Sequence, residues 1–216
     1  MEGRFASNRL SIVIESLKNG IALLQLPVDG QLIERLLAYV ELLSKWNRTY
    51  NLTAIREKRR MVGAHLLDSL SVMPYINGPH VVDIGTGAGL PGVPLAMALP
   101  KNQFVLVDSN RKKTRFITQV LIELGIDNVV VENCRVEDYY PDHEFDTVVS
   151  RAYASIADML VATGHLGQYF LAMKGKLPAD ELREMPGNYQ LQAATKLTVP
   201  EVGGDRHIVQ ITKYNH

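Results

Sequence analysis

From His80 onward, apolar runs of strand length alternate with helical stretches, and a glycine-rich turn, "GTGAGLPG", Gly85 to Gly92, separates the first run from the first helix. This rhythm limits the fold more than any other feature of the chain. "HVVDI" precedes a helical stretch over 93–99, "QFVLV" precedes 112–124, "NVVVE" follows, "FDTVVS" precedes 156–165, and "QYFLAM" completes the series. Strands separated by single helices pair in parallel, with crossover helices on both faces of one sheet. The last stretch departs from the pattern: "YQLQAATKLTVP" and "RHIVQITKY" flank Gly203-Gly204 and read as a β-hairpin. The expected fold class is α/β, a Rossmann-like doubly wound sheet closed by a C-terminal hairpin and preceded by helices.

Residues 1–76 carry the helical signal alone. One helix is apolar at Leu10, Val13, Ile14 and Leu17 and closes at Gly20; a second is apolar at Ile33, Leu36, Leu37, Val40 and Leu43; a third runs from about residue 57 through "GAHLLDSLSV". The expected division is an N-terminal helical region, 1–76, and a cofactor-binding domain, 77–216, which a length of 216 residues accommodates. A hydrophobic fraction of 46% supplies a core and argues against disorder. The formal net charge is zero, but Lys and Arg slightly outnumber Asp and Glu before Ile76, so nucleic acid stays open as a partner. Cys134 is the one cysteine, which excludes an internal disulfide and a multi-cysteine zinc site; it reads as a structural thiol in the sheet or at its edge, and no metal is expected. "MEGRFASNRLSIVIES" mixes acids among its apolar residues, so neither a signal peptide nor a membrane span is expected and the protein reads as cytoplasmic. The "NLT" at Asn51 then has no meaning as a glycosylation acceptor.

Within the turn, Gly87-Ala88-Gly89-Leu90-Pro91-Gly92 matches the dinucleotide fingerprint G-x-G-x-x-G in its strand-to-helix context. Backbone without side chains approaches a ligand closely, and a helix N-terminus offers unpaired N–H groups. Thr86, Gly87 and Gly89 are the loop positions expected at a cofactor, and Asp108, ending the next strand, is placed to take both ribose hydroxyls. Asp83, two residues before the first glycine, separates the candidates. A carboxylate there suits the cationic amino group of S-adenosylmethionine and repels a pyrophosphate. With the terminal hairpin, an ordering associated with methyltransferases, this favours S-adenosylmethionine. A small nicotinamide-dependent oxidoreductase rests on the fingerprint alone, and a non-catalytic RNA-binding module on the same fold is the other alternative.

The methyl acceptor is narrowed by what the chain lacks. Carbon-5 pyrimidine methylation needs a cysteine nucleophile, and Cys134 follows the third strand instead of the fourth. Exocyclic amines are usually served by an Asn/Asp-Pro-Pro-aromatic loop after the fourth strand, where this chain has "SRAYAS". A ring nitrogen such as guanine N7 fits what remains. It has no proton to lose, so positioning and exclusion of water carry the rate, and no catalytic residue is named.

"KWNRTYNLTAIRE", "HLLDSL", "VVDIGTGAGLPGVPLA", "LVDSNRKKTRF", "RVEDY" and "VVSRAYAS", in this order and across nearly the whole chain, resemble the bacterial 16S ribosomal RNA guanine-N7 methyltransferases, the glucose-inhibited division protein B family. The resemblance implies S-adenosylmethionine-dependent methylation of one guanine near the ribosomal decoding centre, on 16S ribosomal RNA or a small-subunit precursor. It links loss of that mark to low-level streptomycin resistance. It places cofactor contacts at Gly85, Leu90, Val136, Glu137 and Arg151; Ala88 stands where many members have proline. Arg151 ends the fourth strand, where open sheets bind ligands, and suits either the methionine carboxylate or an RNA phosphate. A monomer is expected.

For RNA, two basic clusters stand out: Arg48, Arg56, Lys58, Arg59 and Arg60 around the connector, with Trp46 and Tyr50 interleaved, and Arg111, Lys112, Lys113 and Arg115 after Asp108. Positive charge attracts phosphate and aromatics stack on splayed bases, although such runs are also ordinary solvated faces and Trp46 suits a core. His65 and Asp68, three apart, read as a helix–helix polar contact. Lys174-Gly175, after the fifth strand, either reaches a phosphate or caps the sheet.

Overall fold

The structure, a computed structural model, describes residues 2–27 and 29–214, with side chains from residue 11 onward. Helix α1 (Glu2–Leu23) buries Leu17 and runs on past Gly20, where the sequence suggested a stop. Gly20 serves packing instead: a Cβ there would meet Leu67 Cδ1 at 2.2 Å. Leu10, assigned to the same apolar face, lies outside the described side chains. In α2 (Gly30–Tyr50) Asp29 caps the N-terminus by accepting from the Leu32 N–H at 2.8 Å. Of the expected apolar face Leu36, Val40 and Leu43 are buried, whereas Ile33 and Leu37 are half-buried at its edges and Leu32 and Tyr39 are buried instead. The third helix is not uniform. α3 (Lys58–Met61) passes through a π-helical turn (Val62–Leu67) into α4 (Asp68–Leu70).

The sheet has seven strands: β1 (His80–Ile84), β2 (Gln103–Val107), β3 (Val129–Glu132), β4 (Thr147–Arg151), β5 (Tyr169–Lys174), β6 (Tyr189–Leu197) and β7 (Arg206–Lys213), in the order β3-β2-β1-β4-β5-β7-β6. β1 to β5 pair in parallel, and β7 enters antiparallel between β5 and β6. Between strands lie α5 (Gly92–Ala98), α6 (Arg111–Leu124), α7 (Ile156–Thr163) and α8 (Ala179–Arg183). The pleat divides the core: Val81 joins a cluster with Leu17, Leu36, Leu66, Leu95 and Phe116, whereas Val82 and Ile84 face Met159, Leu160 and Phe170. The N-terminal helices therefore share a core with one face of the sheet. The hairpin joins them too. Its connection is a loop over 198–205 instead of a tight Gly-Gly turn, and Glu201 within it accepts from Ser16 Oγ at 2.5 Å and lies 3.7 Å from Arg59 Nε.

Tyr39 ties α2 to the glycine turn. Its buried hydroxyl donates to the Ala88 carbonyl at 2.8 Å, and burial pushes its pKa up, so it remains a donor. Tyr39→Phe should lower the unfolding free energy by about 1–2 kcal/mol, because the Ala88 carbonyl loses its partner. Urea denaturation should show this as a lower midpoint at unchanged m-value; an unchanged midpoint would refute it.

Candidate functional site

The turn between β1 and α5 is shaped from beneath. Asp83 is fully buried; its Oδ2 accepts from Thr86 Oγ1 at 2.6 Å and from the Gly92 N–H at 2.8 Å, and its Oδ1 has no hydrogen-bond partner among the described residues. Gly92 is required by that approach, since a Cβ would meet Leu106 Cδ2 at 2.1 Å and Asp83 Oδ2 at 2.8 Å. Asp83 thus lies under the turn and exposes no surface, whereas the sequence reading had it facing a cationic group directly. Thr86 also turns inward, its N–H donating to Val107 O at 3.2 Å. The Gly89 N–H donates to Thr86 O at 3.0 Å, and the Leu90 side chain is buried in the core. What faces outward is bare backbone. Gly85 has a left-handed φ of 63°, and nothing lies within 4 Å of where its Cβ would be.

Asp108, just past β2, is drawn to this backbone. Its Oδ2 accepts from the Gly87 N–H and its Oδ1 from the Asn110 N–H, each at 2.8 Å, which leaves both oxygens able to accept further donors. Lys113, grouped at the sequence level with the phosphate-binding cluster, belongs here: its Nζ is 3.7 Å from Asp108 Oδ2, while Arg111, Lys112 and Arg115 are exposed. Val136 is buried and Glu137 exposed in the turn that follows β3. Cys134, half-buried in the same loop, has a thiol pushed up by burial and by nearby acids, which suits a structural role.

Arg151 stands at the end of β4, its Nη1 donating to Ala64 O at 3.1 Å and to Asp68 Oδ2 at 3.3 Å. The next residue, Ala152, holds a φ of 61°, a strained conformation for a residue with a Cβ and one that gathers at functional sites. Asp68 binds a second cation: Arg206 Nε, at the start of β7, donates to its Oδ1 at 3.0 Å. His65 also differs from the expected helix–helix contact. Burial and the charge of Arg151 lower its pKa to about 4, so the ring is neutral at neutral pH. Its Nδ1 lies 3.0 Å from Ala64 O and its Nε2 3.0 Å from Thr53 Oγ1, which fixes Nδ1–H as donor and Nε2 as acceptor. Ile55, His65, Asp68, Arg151, Met173 and Arg206 line a cavity of about 390 Å³ at the ends of β4 and β5. Lys174, on its edge, is engaged by Glu181 Oε2 at 2.7 Å and the Tyr153 carbonyl at 3.4 Å.

The connector is ordered by Asn47, whose side chain donates to Ile55 O at 3.1 Å and accepts from the Thr53 N–H at 2.9 Å. Trp46 is half-buried against Phe116, their ring centroids 5.6 Å apart, and the exposed Tyr50 ring lies tilted against it with centroids 5.2 Å apart. Arg56 donates to Asn51, Lys58 pairs with Glu41 and Arg59 with Glu201, so much of this cluster's charge is used internally. Sequence reasoning missed Tyr39, Asn47 and Arg206. Only Arg206, a charge opening an apolar strand, left a local signal. Among the described residues no His, Cys, Asp or Glu cluster is arranged for a metal, and no helix is long and apolar enough to cross a membrane.

A family model described as rRNA small subunit methyltransferase G matches residues 32–209. A ribosomal RNA small subunit methyltransferase G from Nitrosococcus oceani is 46% identical over 198 residues, covering 90% of this chain and 92% of its own. The protein of the same name from Pseudomonas syringae pv. tomato is 50% identical over 179 residues, 82% of this chain and 85% of its own. Among solved structures, magnesium protoporphyrin IX methyltransferase from Synechocystis PCC 6803 with bound SAM superposes with a TM-score of 0.59 at 16% identity, covering 87% of this chain and 98% of that one. A SAM-dependent methyltransferase from Aquifex aeolicus gives 0.54 at 17%, over 69% and 91%. These two likenesses establish the fold.

Burial pushes the Asp83 carboxyl up from 3.8 to about 7, against the hydrogen bonds from Thr86 and Gly92 and the charge of Arg151, and Asp108 adds to the rise. The folded state therefore holds this proton more tightly than the unfolded chain, so Asp83 lowers stability progressively from about pH 4 to pH 7 and fully above that. In Asp83→Asn this slope is gone. Urea unfolding at about pH 5 and pH 8 should show the variant gaining on the wild type as pH rises; a pH-independent difference would mean that the carboxylate is ionised throughout.

Proposed function

Because the chain belongs to the rRNA small subunit methyltransferase G family, whose cofactor is S-adenosylmethionine, we propose that it methylates N7 of one guanine in 16S ribosomal RNA near the decoding centre. The observation that carries this reading is the outward backbone at Gly85 and Gly87 meeting the Asp108 carboxylate beside a cavity rich in cations. Those residues fit the cofactor by their chemistry. Backbone at Gly85, Gly87, Gly89 and Leu90, with Thr86 fixing the turn from inside, would cradle the methionine and ribose; Asp108 would accept both ribose hydroxyls; Val136 and Glu137 would line the adenine; and Arg151 would face the methionine carboxylate. Asp83, unable to touch the ligand, adds negative potential beneath a cationic one where it is ionised, above about pH 7.

The cofactor, when bound, supplies a methyl group made electrophilic by its sulfonium. The N7 lone pair forms the new carbon–nitrogen bond as the carbon–sulfur bond breaks and its electron pair stays on sulfur. No proton leaves the nucleophile, so the protein needs no general base; it aligns the two atoms and excludes water. With a ribosomal substrate, the reading has the protein acting in the cytoplasm, as a monomer, on ribosomal RNA or a subunit precursor. A nicotinamide-dependent reaction has no support beyond the fingerprint.

The decisive experiment maps N7-methylguanine in 16S ribosomal RNA from cells with and without this protein: one guanine should lose its methyl group, and an unchanged map would overturn the reading. Asp108→Ala should weaken S-adenosylmethionine binding roughly ten- to a hundredfold by calorimetry, through loss of hydrogen bonds to a charged group. Reversing Arg111 and Lys112 should weaken RNA binding and flatten its salt dependence by about 0.7 in slope per lost contact. Lys113→Glu differs from these two: because its Nζ lies 3.7 Å from Asp108, it should weaken cofactor binding as well. Equal cofactor affinity in all three variants would refute that distinction.

A further inference from the structure

The cavity at the ends of β4 and β5 has the size of a small-molecule site, about 390 Å³, and a lining that suits a base better than a phosphate. Ile55, Met173 and Leu197 give it apolar surface, and Asp68 is its one carboxylate. The cavity's cations are already paired, Lys174 with Glu181 and both arginines with this carboxylate. The carboxylate is fixed in turn: Arg151 and Arg206 each hold one of its oxygens, at 3.3 and 3.0 Å, and each oxygen can still accept another donor. Arg151 links this cavity to the glycine turn, since its charge acts both on His65 in the cavity and on Asp83 under the turn.

We propose that Asp68 is the residue that selects guanine: the target base is flipped into this cavity, and the Asp68 carboxylate accepts from its N1–H and exocyclic N2–H. The inference rests on the guanine-N7 reading given above. If N7 is to face the cofactor groove, the edge across the ring, which carries N1–H and the amine, is the one left for a cavity wall to read. Adenine offers no N1–H there and no 2-amino group. A cavity whose polar groups are satisfied by one partner rejects an analogue that leaves them unpaired. Asp68 takes no part in the bond changes.

The test titrates GMP, IMP and AMP into the protein saturated with S-adenosylhomocysteine, followed by amide NMR shifts at Ala64, Ala152 and Gly175. IMP lacks only the amine. GMP should bind roughly ten- to a hundredfold more tightly than IMP, the value of a hydrogen bond to a carboxylate, and AMP should bind more weakly still. In Asp68→Asn the GMP-to-IMP ratio should collapse toward one; a merely structural role for Asp68 would weaken both nucleotides together and keep the ratio. Equal binding of GMP and IMP by the wild type, no binding of either, or a preserved ratio in the variant would overturn the proposal. Methyl transfer to ribosomal RNA by the wild type is scored separately. If it is present while GMP and IMP bind equally, only the selection by Asp68 fails; if N7-methylguanine is absent, the underlying reading fails.

Discussion

A carboxylate with no access to water sits beneath the glycine turn, and the shape of that turn depends on it. Burying Asp83 costs free energy, offset in part by the Thr86 hydroxyl and the Gly92 N–H at one of its oxygens. Those bonds pull the start of α5 down onto the end of β1. Gly92 is then the residue that fits, and the intervening backbone bulges outward at Gly85 and Gly87. Asp108 fixes the bulge from the other side through the Gly87 N–H. Two carboxylates, one in β1 and one just past β2, thus hold one loop, one from below and one from its rim.

A second carboxylate-centred arrangement builds the neighbouring cavity. Asp68, on the helix that follows the π-helical turn, joins Arg151 from the sheet's middle and Arg206 from the hairpin. Removing one partner of such a cluster leaves a half-buried charge uncompensated, so its three elements depend on one another. Tyr39 on the Ala88 carbonyl and Arg59 beside Glu201 add links from the N-terminal helices to the turn and to the hairpin loop. The helical segment, separable from the sheet by sequence pattern, supplies walls of the site and part of the same core.

Much of this was legible in the residues. Alternation of β-rich and helical runs gave the parallel strands, because period-2 and period-3.6 patterns cannot be exchanged. The hairpin was visible as two alternating runs around glycines, but not its 198–205 loop, from which Glu201 reaches Ser16 and Arg59. Gly20 looked like a helix end since glycine often is one; its use against Leu67 depends on a residue 47 positions away. Lys113 looked like its neighbours Arg111 and Lys112, yet one helical position brings it to Asp108.

The sequence by itself determined the fold class, the turn at Gly85 to Gly92, the acid Asp108 just past the second strand and, through six ordered blocks, the family. These are local or sequentially ordered properties, set by side-chain periodicity and by the conformations glycine and proline permit. Only the tertiary structure decided that Asp83 points inward, that Lys113 reaches Asp108, and that Asp68 gathers Arg151 and Arg206 across 83 and 138 positions of sequence. Where a charged side chain ends depends on which opposite charges and empty space the folded chain brings within a few ångströms, and no window of sequence carries that information.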